Sequence, residues 1–303
     1  MATSATTTTP TRIFNMVEIK RKLKDNGYVV IRNVLTPEEV DSAKEEFYKW
    51  KDGIDDLDEI HKKVDPHGIF KHHENGHSRY AWDIRLNKMV QYIFKKVWET
   101  EELSVSFDGS CHIPKNCTKR DNIWTHTDQA PNSKGLKCYQ GFVALTTNKE
   151  RTLRVYKGSH ELHEQYFKDK KISSSKNWHL IDKVYLQSIQ GSHRKLEVQK
   201  GSLVLWDSRV FHQNQYGLPN SEERIVQYVC YLPKHHEKNT ETQKKKKLKY
   251  FEERRTTSHW PYPVTVNGLQ PNSWGDASLK IDYSKLVKTD LEDIKDKILK
   301  LIN

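Results

Sequence analysis

The chain has 303 residues, a formal net charge of +11, and 35% hydrophobic against 30% charged residues; this excludes a membrane-embedded protein, and aromatic residues at 10% exclude a wholly disordered one. That length suits one sizeable domain, and the four cysteines, Cys111, Cys117, Cys138 and Cys230, form no Cys-x-x-Cys pair, so they read as free thiols of a reducing compartment. No run approaches the roughly 18 apolar residues of a membrane span, and the start, MATSATTTTP, has neither basic residues nor an apolar signal core; the expectation is a soluble intracellular protein, cytoplasmic or nuclear, with no membrane partner.

Residues 1–11 are Thr-rich and lack apolar periodicity, which predicts a disordered tail. Arg12 to Lys24 has the spacing of a short surface helix. Gly27 to Val34 is a β-branched run, and Thr36-Pro37-Glu38-Glu39 then opens a helix to about Trp50, with Thr36 as N-cap, Pro37 at the first helical position and Glu39 at N3. Residues 52–80, rich in Asp, His, Gly and Lys, read as a long loop. His72, His73 and His77 are then solvated histidines rather than a second metal site, and the loop is a candidate lid whose best substrate contacts are Trp82 and Arg85. Lys88 to Trp98 is helical, with Val90, Ile93, Phe94 and Val97 on one face.

From Leu103 to Val229 the pattern changes to short β runs at 103–107, 122–127, 141–146, 152–156, 196–198, 202–206 and 225–231. Many short strands point to a sandwich or barrel, hence a mainly β fold with flanking helices. Residues 161–194 are a polar insertion, holding Trp178 and Tyr185, that should lie over the barrel. Lys234 to Arg255 carries nine Lys or Arg against four Glu, a local excess of +5. Its Lys244 to Lys247 run reads as a solvated helix face, with nucleic-acid contact through 234–255 as the less favoured reading. Residues 256–277 are broken by Pro and Gly, and Tyr283 to Ile302 reads as a final amphipathic helix packing on the core.

Within these elements one constellation carries chemistry. Side chains two apart on a strand share a face, so His126 and Asp128 point together, with Trp124 beside them; His212 follows a strong strand, and Arg224 opens the next. Two neutral imidazoles and one carboxylate can hold one face of an iron(II) ion and leave the other open, although the same three ligands also suit zinc. A guanidinium such as Arg224 can clamp a co-substrate carboxylate bidentately.

The residues of this conjunction resemble the phytanoyl-CoA dioxygenase-like family of iron(II)- and 2-oxoglutarate-dependent oxygenases. The similarity also takes in Gly27 to Val40, LSVSFDG from Leu103, LRVYKGSH from Leu153 and VLWDSRVFH from Val204. Lys157 departs from it, standing where a proline is common before Gly-Ser-His. The resemblance implies a double-stranded β-helix, a jelly-roll core of the cupin type over about residues 103–233, inside a catalytic domain of residues 12–233. It further implies iron(II) held by His126, Asp128 and His212, 2-oxoglutarate paired with Arg224, and dioxygen at the position left open. Gln140 and Asn214 are candidates to hydrogen-bond the co-substrate. The expected reaction is hydroxylation of an unidentified small or macromolecular substrate with release of succinate and carbon dioxide. Two rivals are a mononuclear zinc hydrolase built on the same triad and a nucleic-acid-binding protein with a silent barrel.

Overall fold

The computed structural model describes residues 13–302; the Thr-rich segment 1–11 lies outside the described residues. The chain starts with α1 (Met16–Asn26), whose Asn15 cap accepts from the Glu18 amide, and which ends at Gly27 with φ 80°. Only glycine fits there, because that φ is left-handed and a Cβ would sit 2.5 Å from His160 Nδ1 and 2.6 Å from Val210 Cγ2. Strand β1 (Tyr28–Ile31) leads into α2 (Pro37–Asp52). Here the Thr36 hydroxyl accepts from the Glu39 amide at 3.0 Å and the Glu39 carboxylate accepts from the Thr36 amide at 2.7 Å, a complete capping box.

The stretch 52–80 is not a structureless loop. It holds α3 (Leu57–Val64), β2 (Ile69–Phe70) and two single-turn helices, and α4 (Arg79–Leu86) follows directly. Its polar composition misleads because three of its five histidines are core residues, while His67 and His72 are half-buried: His61 shares the buried face of α3 with Leu57 and Val64, stacks on Phe70 at 3.7 Å, and bonds Asp65 and the His112 carbonyl. His73 and His77 are buried too, each pushed down by burial, to about 4 and about 3. Helix α5 (Lys88–Trp98) buries Val90, Ile93 and Phe94.

The β region supplies β3 (Leu103–Val105), β4 (Ser110–Ile113), β5 (His126–Thr127), β6 (Tyr139–Ala144), β7 (Leu153–Tyr156), β8 (His179–Leu180), β9 (His193–Lys195), β10 (Leu203–Asp207), β11 (His212–Asn214) and β12 (Arg224–Pro233). Two helices, α6 (Ser159–Asp169) and α7 (Lys183–Ser188), occupy the polar insertion. All pairing is antiparallel, in a seven-stranded sheet ordered β1-β10-β6-β12-β4-β2 with β3 on β12, and a five-stranded sheet ordered β8-β5-β11-β7-β9. The core is therefore a jelly roll of two facing sheets, not a closed barrel.

Period-two alternation explains how the sheets are used. On β10, Leu203 and Leu205 join the apolar cluster that packs the large sheet on α1, α2, α4 and α5, whereas Val204 and Trp206 join a second cluster with Phe142 of β6 and Leu153 and Val155 of β7. The second cluster draws on both sheets and so lies between them. Residues after Pro233 contribute α8 (Glu241–Glu252) and α9 (Lys295–Ile302). The C-terminal helix begins at Lys295 rather than Tyr283, since 283–294 form only single turns, yet Leu291, Ile294, Ile298, Leu301 and Ile302 all enter the first cluster. Lys247 corrects the solvated reading of the four-lysine run: it is fully buried and donates to the Ser104 hydroxyl. No helix among the described residues is long and apolar enough to cross a membrane.

Candidate metal centre

Strand pairing places the two histidines face to face, since β5 and β11 are neighbours in the small sheet and His126 stands directly opposite His212. Asp128 follows β5, held by its amide bond to the Ser208 carbonyl at 3.0 Å. Its Oδ2 lies 3.6 Å from His126 Nε2 and 3.3 Å from His212 Nε2. The ligand atoms of this triad all lie within 4.8 Å of one another, and no other such group of His, Cys, Asp or Glu occurs among the described residues.

The ring nitrogens are assigned by their surroundings. His126 Nδ1 meets the Trp124 carbonyl at 3.2 Å and His212 Nδ1 meets the Val210 carbonyl at 2.9 Å, so in each ring Nδ1 carries the hydrogen and Nε2 keeps its lone pair for a cation. Burial and the nearby His212 push His126 down, which keeps it neutral. Burial alone would raise Asp128, but its two imidazole neighbours, His126 foremost, outweigh it and hold the carboxyl well below its usual range. Two neutral imidazoles and one carboxylate is the donor set of a divalent metal with open positions.

Gln140, on β6, donates its Nε2 to Asp128 Oδ2 at 3.0 Å, so it orients a triad member. Asn214 donates to the Tyr228 hydroxyl at 2.7 Å, and both border a cavity of about 340 Å³ beside the triad. Arg224 shares the interior parity of β12 with Val226 and Tyr228; it is not among the residues that border the cavity, and its charge acts on Cys111 and Tyr228. It is 0% exposed, yet Nε, Nη1 and Nη2 all lack a partner, and its carbon Cζ sits 5.5 Å over the Phe142 ring. A buried guanidinium without a counter-ion is expensive. An anionic group of the right reach would satisfy it, and that is the test by which these residues fit a carboxylate-bearing co-substrate.

Trp124 borders the cavity, fixed by its Nε1 bond to the Asn214 carbonyl at 3.0 Å, with its ring stacked on His67 at 3.5 Å and on His126 at 4.8 Å. Trp82 and Arg85 do not contact the cavity, contrary to their expected part in a lid. Both are fully buried on α4; the Trp82 indole packs on Phe107 and Phe251, and Arg85 donates to the carbonyls of Gly76 and Asp108. Arg85 therefore reaches the site only through the backbone of Asp108, which borders it.

Several wall residues escaped sequence reasoning: His67, Trp178, Trp206, Tyr228 and His259. Trp178 stood out as an aromatic in a polar insertion, but nothing local marked His259. It lies in a Pro-broken segment, and burial, reinforced by His212 and His126 against the pull of Asp128, pushes it down to about 4. A smaller cavity of about 130 Å³ beside His61, His112 and Tyr216 holds no comparable ligand set.

Comparison with known proteins follows the same geometry. A family model described as phytanoyl-CoA dioxygenase (PhyH) matches residues 23–215. Ava biosynthesis cluster protein O of Aspergillus versicolor is 30% identical over 243 residues, covering 72% of this chain and 79% of that protein. Among solved structures, the epimerase SnoN in complex with Fe3+, alpha ketoglutarate and nogalamycin RO aligns at 15% identity with a TM-score of 0.51, over 72% of this chain and 83% of that one. HygX from Streptomyces hygroscopicus with nickel and 2-oxoglutarate bound aligns at 14% identity and a TM-score of 0.50, over 74% and 88%. At these identities the structures show a shared fold.

Proposed function

This chain belongs to the phytanoyl-CoA dioxygenase family, and from that membership we propose that it is an iron(II)- and 2-oxoglutarate-dependent oxygenase that hydroxylates its substrate. The observation that carries the reading is the pairing of an open His126-Asp128-His212 triad with a buried, partnerless Arg224 guanidinium. Structures that share the fold hold metal together with 2-oxoglutarate, which supports the same pair here.

His126, Asp128 and His212 would hold the iron through two Nε2 atoms and a carboxylate oxygen. Gln140 fixes which carboxylate oxygen faces the imidazoles, and the carbonyls of Trp124 and Val210 fix both ring orientations. Arg224 would take the distal carboxylate of 2-oxoglutarate, with three nitrogens available for it. With dioxygen, the bound iron and 2-oxoglutarate supply the oxidant that replaces a substrate C–H by C–OH, with succinate and carbon dioxide as co-products. The Trp124, Trp206 and Tyr228 side chains give the cavity an aromatic stretch of wall.

The rivals account for less. A zinc hydrolase on this triad has no use for a buried cation that waits for a carboxylate. A silent nucleic-acid binder leaves the triad and the partnerless Arg224 without a role, and its basic helix is one lysine short, since Lys247 is buried while Lys245 and Lys246 stay exposed. The test is anaerobic addition of iron(II) and 2-oxoglutarate, which should produce the weak visible charge-transfer band of the chelate. Folded wild-type protein without that band sinks the proposal. His212→Ala should lose the band through lost metal affinity.

A further inference from the structure

Two features of the cavity remain unused by iron or co-substrate. His259 Nε2 has no exposed surface and no hydrogen-bond partner, although its ring borders the cavity. Its backbone is firmly placed by a small hairpin in which Thr257 pairs with Val266. That hairpin is tied to the core: Thr257 and Phe107 exchange bonds at 3.0 and 2.9 Å, and the Gly76 amide donates to Thr256 Oγ1 at 3.0 Å. An unmatched polar atom on a rigid wall marks a place where a ligand atom belongs.

The second feature is apolar. Trp178 is 50% exposed with its ring 5.5 Å from the His126 ring, at the end of the row His67, Trp124, His126. Leu180, which pairs opposite His126 and so shares its face of the sheet, is 53% exposed. Large apolar side chains gathered at the mouth of a polar cavity signal a contact surface, and an open indole face favours a flat ring.

We propose that the substrate is a ring-bearing molecule gripped at two points, its flat ring against Trp178 and an oxygen acceptor on the Nε2–H of His259. This rests on the oxygenase reading, since the same cavity borders the triad. It makes the hairpin 256–267, which lies outside the family-matched residues 23–215, a specificity element.

The test uses full-length protein with iron(II) and 2-oxoglutarate under anaerobic conditions, and three probes followed by ligand-observed NMR. The probes are 2-acetylnaphthalene, with ring and acceptor; 2-ethylnaphthalene, with ring alone; and 2-acetyldecalin, with acceptor alone. Wild type should bind the first more tightly than either other, by roughly fivefold for a single hydrogen bond or ring contact. His259→Ala should erase the preference over 2-ethylnaphthalene, and His259→Gln, which keeps an N–H, should retain it. Trp178→Ala should erase the preference over 2-acetyldecalin. Absence of either preference in wild type, or its persistence in the matching alanine variant, overturns the two-point grip. The charge-transfer band separates the two ideas: if it forms while the preferences fail, only this inference falls, and if it does not form, the oxygenase reading falls.

Discussion

Arg224 brings a positive charge into the interior with no counter-ion and no hydrogen bond to any of its three nitrogens. Such a residue weakens the empty protein and serves only when an anion arrives. Arg224→Met should therefore raise the melting temperature of metal-free protein, by the equivalent of on the order of 1–4 kcal/mol. The same variant should lose the stabilisation that iron(II) with 2-oxoglutarate gives wild type, about 2.7 kcal/mol at a hundred times Kd. Differential scanning fluorimetry with and without ligand measures both; a variant less stable when empty would show that Arg224 is structural. Lys247 poses the same problem without a ligand to solve it. Burial, with Lys234 adding, pushes its ammonium down to about 7 from 10.5. Between those two values the unfolded chain binds more protons than the folded one, so stability rises with pH across that window, by up to roughly 1.4 kcal/mol per pH unit. Below about pH 7 the penalty is constant. Lys247→Met should be more stable than wild type at pH 7 and should flatten this slope, read from urea midpoints at pH 7, 8, 9 and 10.

At the scale of elements, the clearest signals were local ones. The Thr36-Pro37-Glu38-Glu39 start forms the capping box its residue types dictate, and Thr36→Ala should cost about 1 kcal/mol in urea unfolding; an unchanged midpoint would mean that packing alone sets α2. The long apolar strands β10 and β12 and the His-x-Asp spacing were legible because each is carried by consecutive residues. Strand β11, three residues long, was not, and β5 keeps only the last two residues of the expected run 122–127; it is their pairing with each other that brings His126 to His212. Helix α3 was hidden because His61, one of its three buried positions, looks polar in isolation and becomes a core residue only when Asp65 and the His112 carbonyl satisfy it. Trp82 and Arg85 failed as lid residues for the converse reason. An aromatic and a guanidinium in a polar stretch suggest a ligand, but the indole is covered by Phe107 and Phe251 and the guanidinium by two carbonyls. His259 could not be found from spacing, since it meets the triad cavity only through contacts between residues 76, 107 and 256–257.

For the molecule as a whole, the decisive question is whether residues 234–303 form an appendage or part of one cooperative unit. Three connections argue for the latter. The side chains of Leu291, Ile294, Ile298, Leu301 and Ile302 sit in the same apolar cluster as β3, β10 and β12. The Tyr262 hydroxyl donates to the carbonyl of Pro233, the last residue of β12. The hairpin that carries His259 hangs on Phe107, next to Asp108 in the cavity wall. If this tail folded on its own, damage within it would unfold it alone and leave the jelly roll's midpoint intact. Because its helix α9 shares the main cluster, Ile298→Ala, which empties a fully buried position, should instead lower the midpoint of the entire transition, by about 2–5 kcal/mol. Near-ultraviolet circular dichroism and tryptophan fluorescence should move together, since Trp124, Trp178 and Trp206 at the cavity report on the jelly roll and Trp260 on the tail. Two separate transitions, with only the first shifted by the substitution, would show that the tail is a distinct unit and that the wall it contributes to the cavity can open independently of the triad.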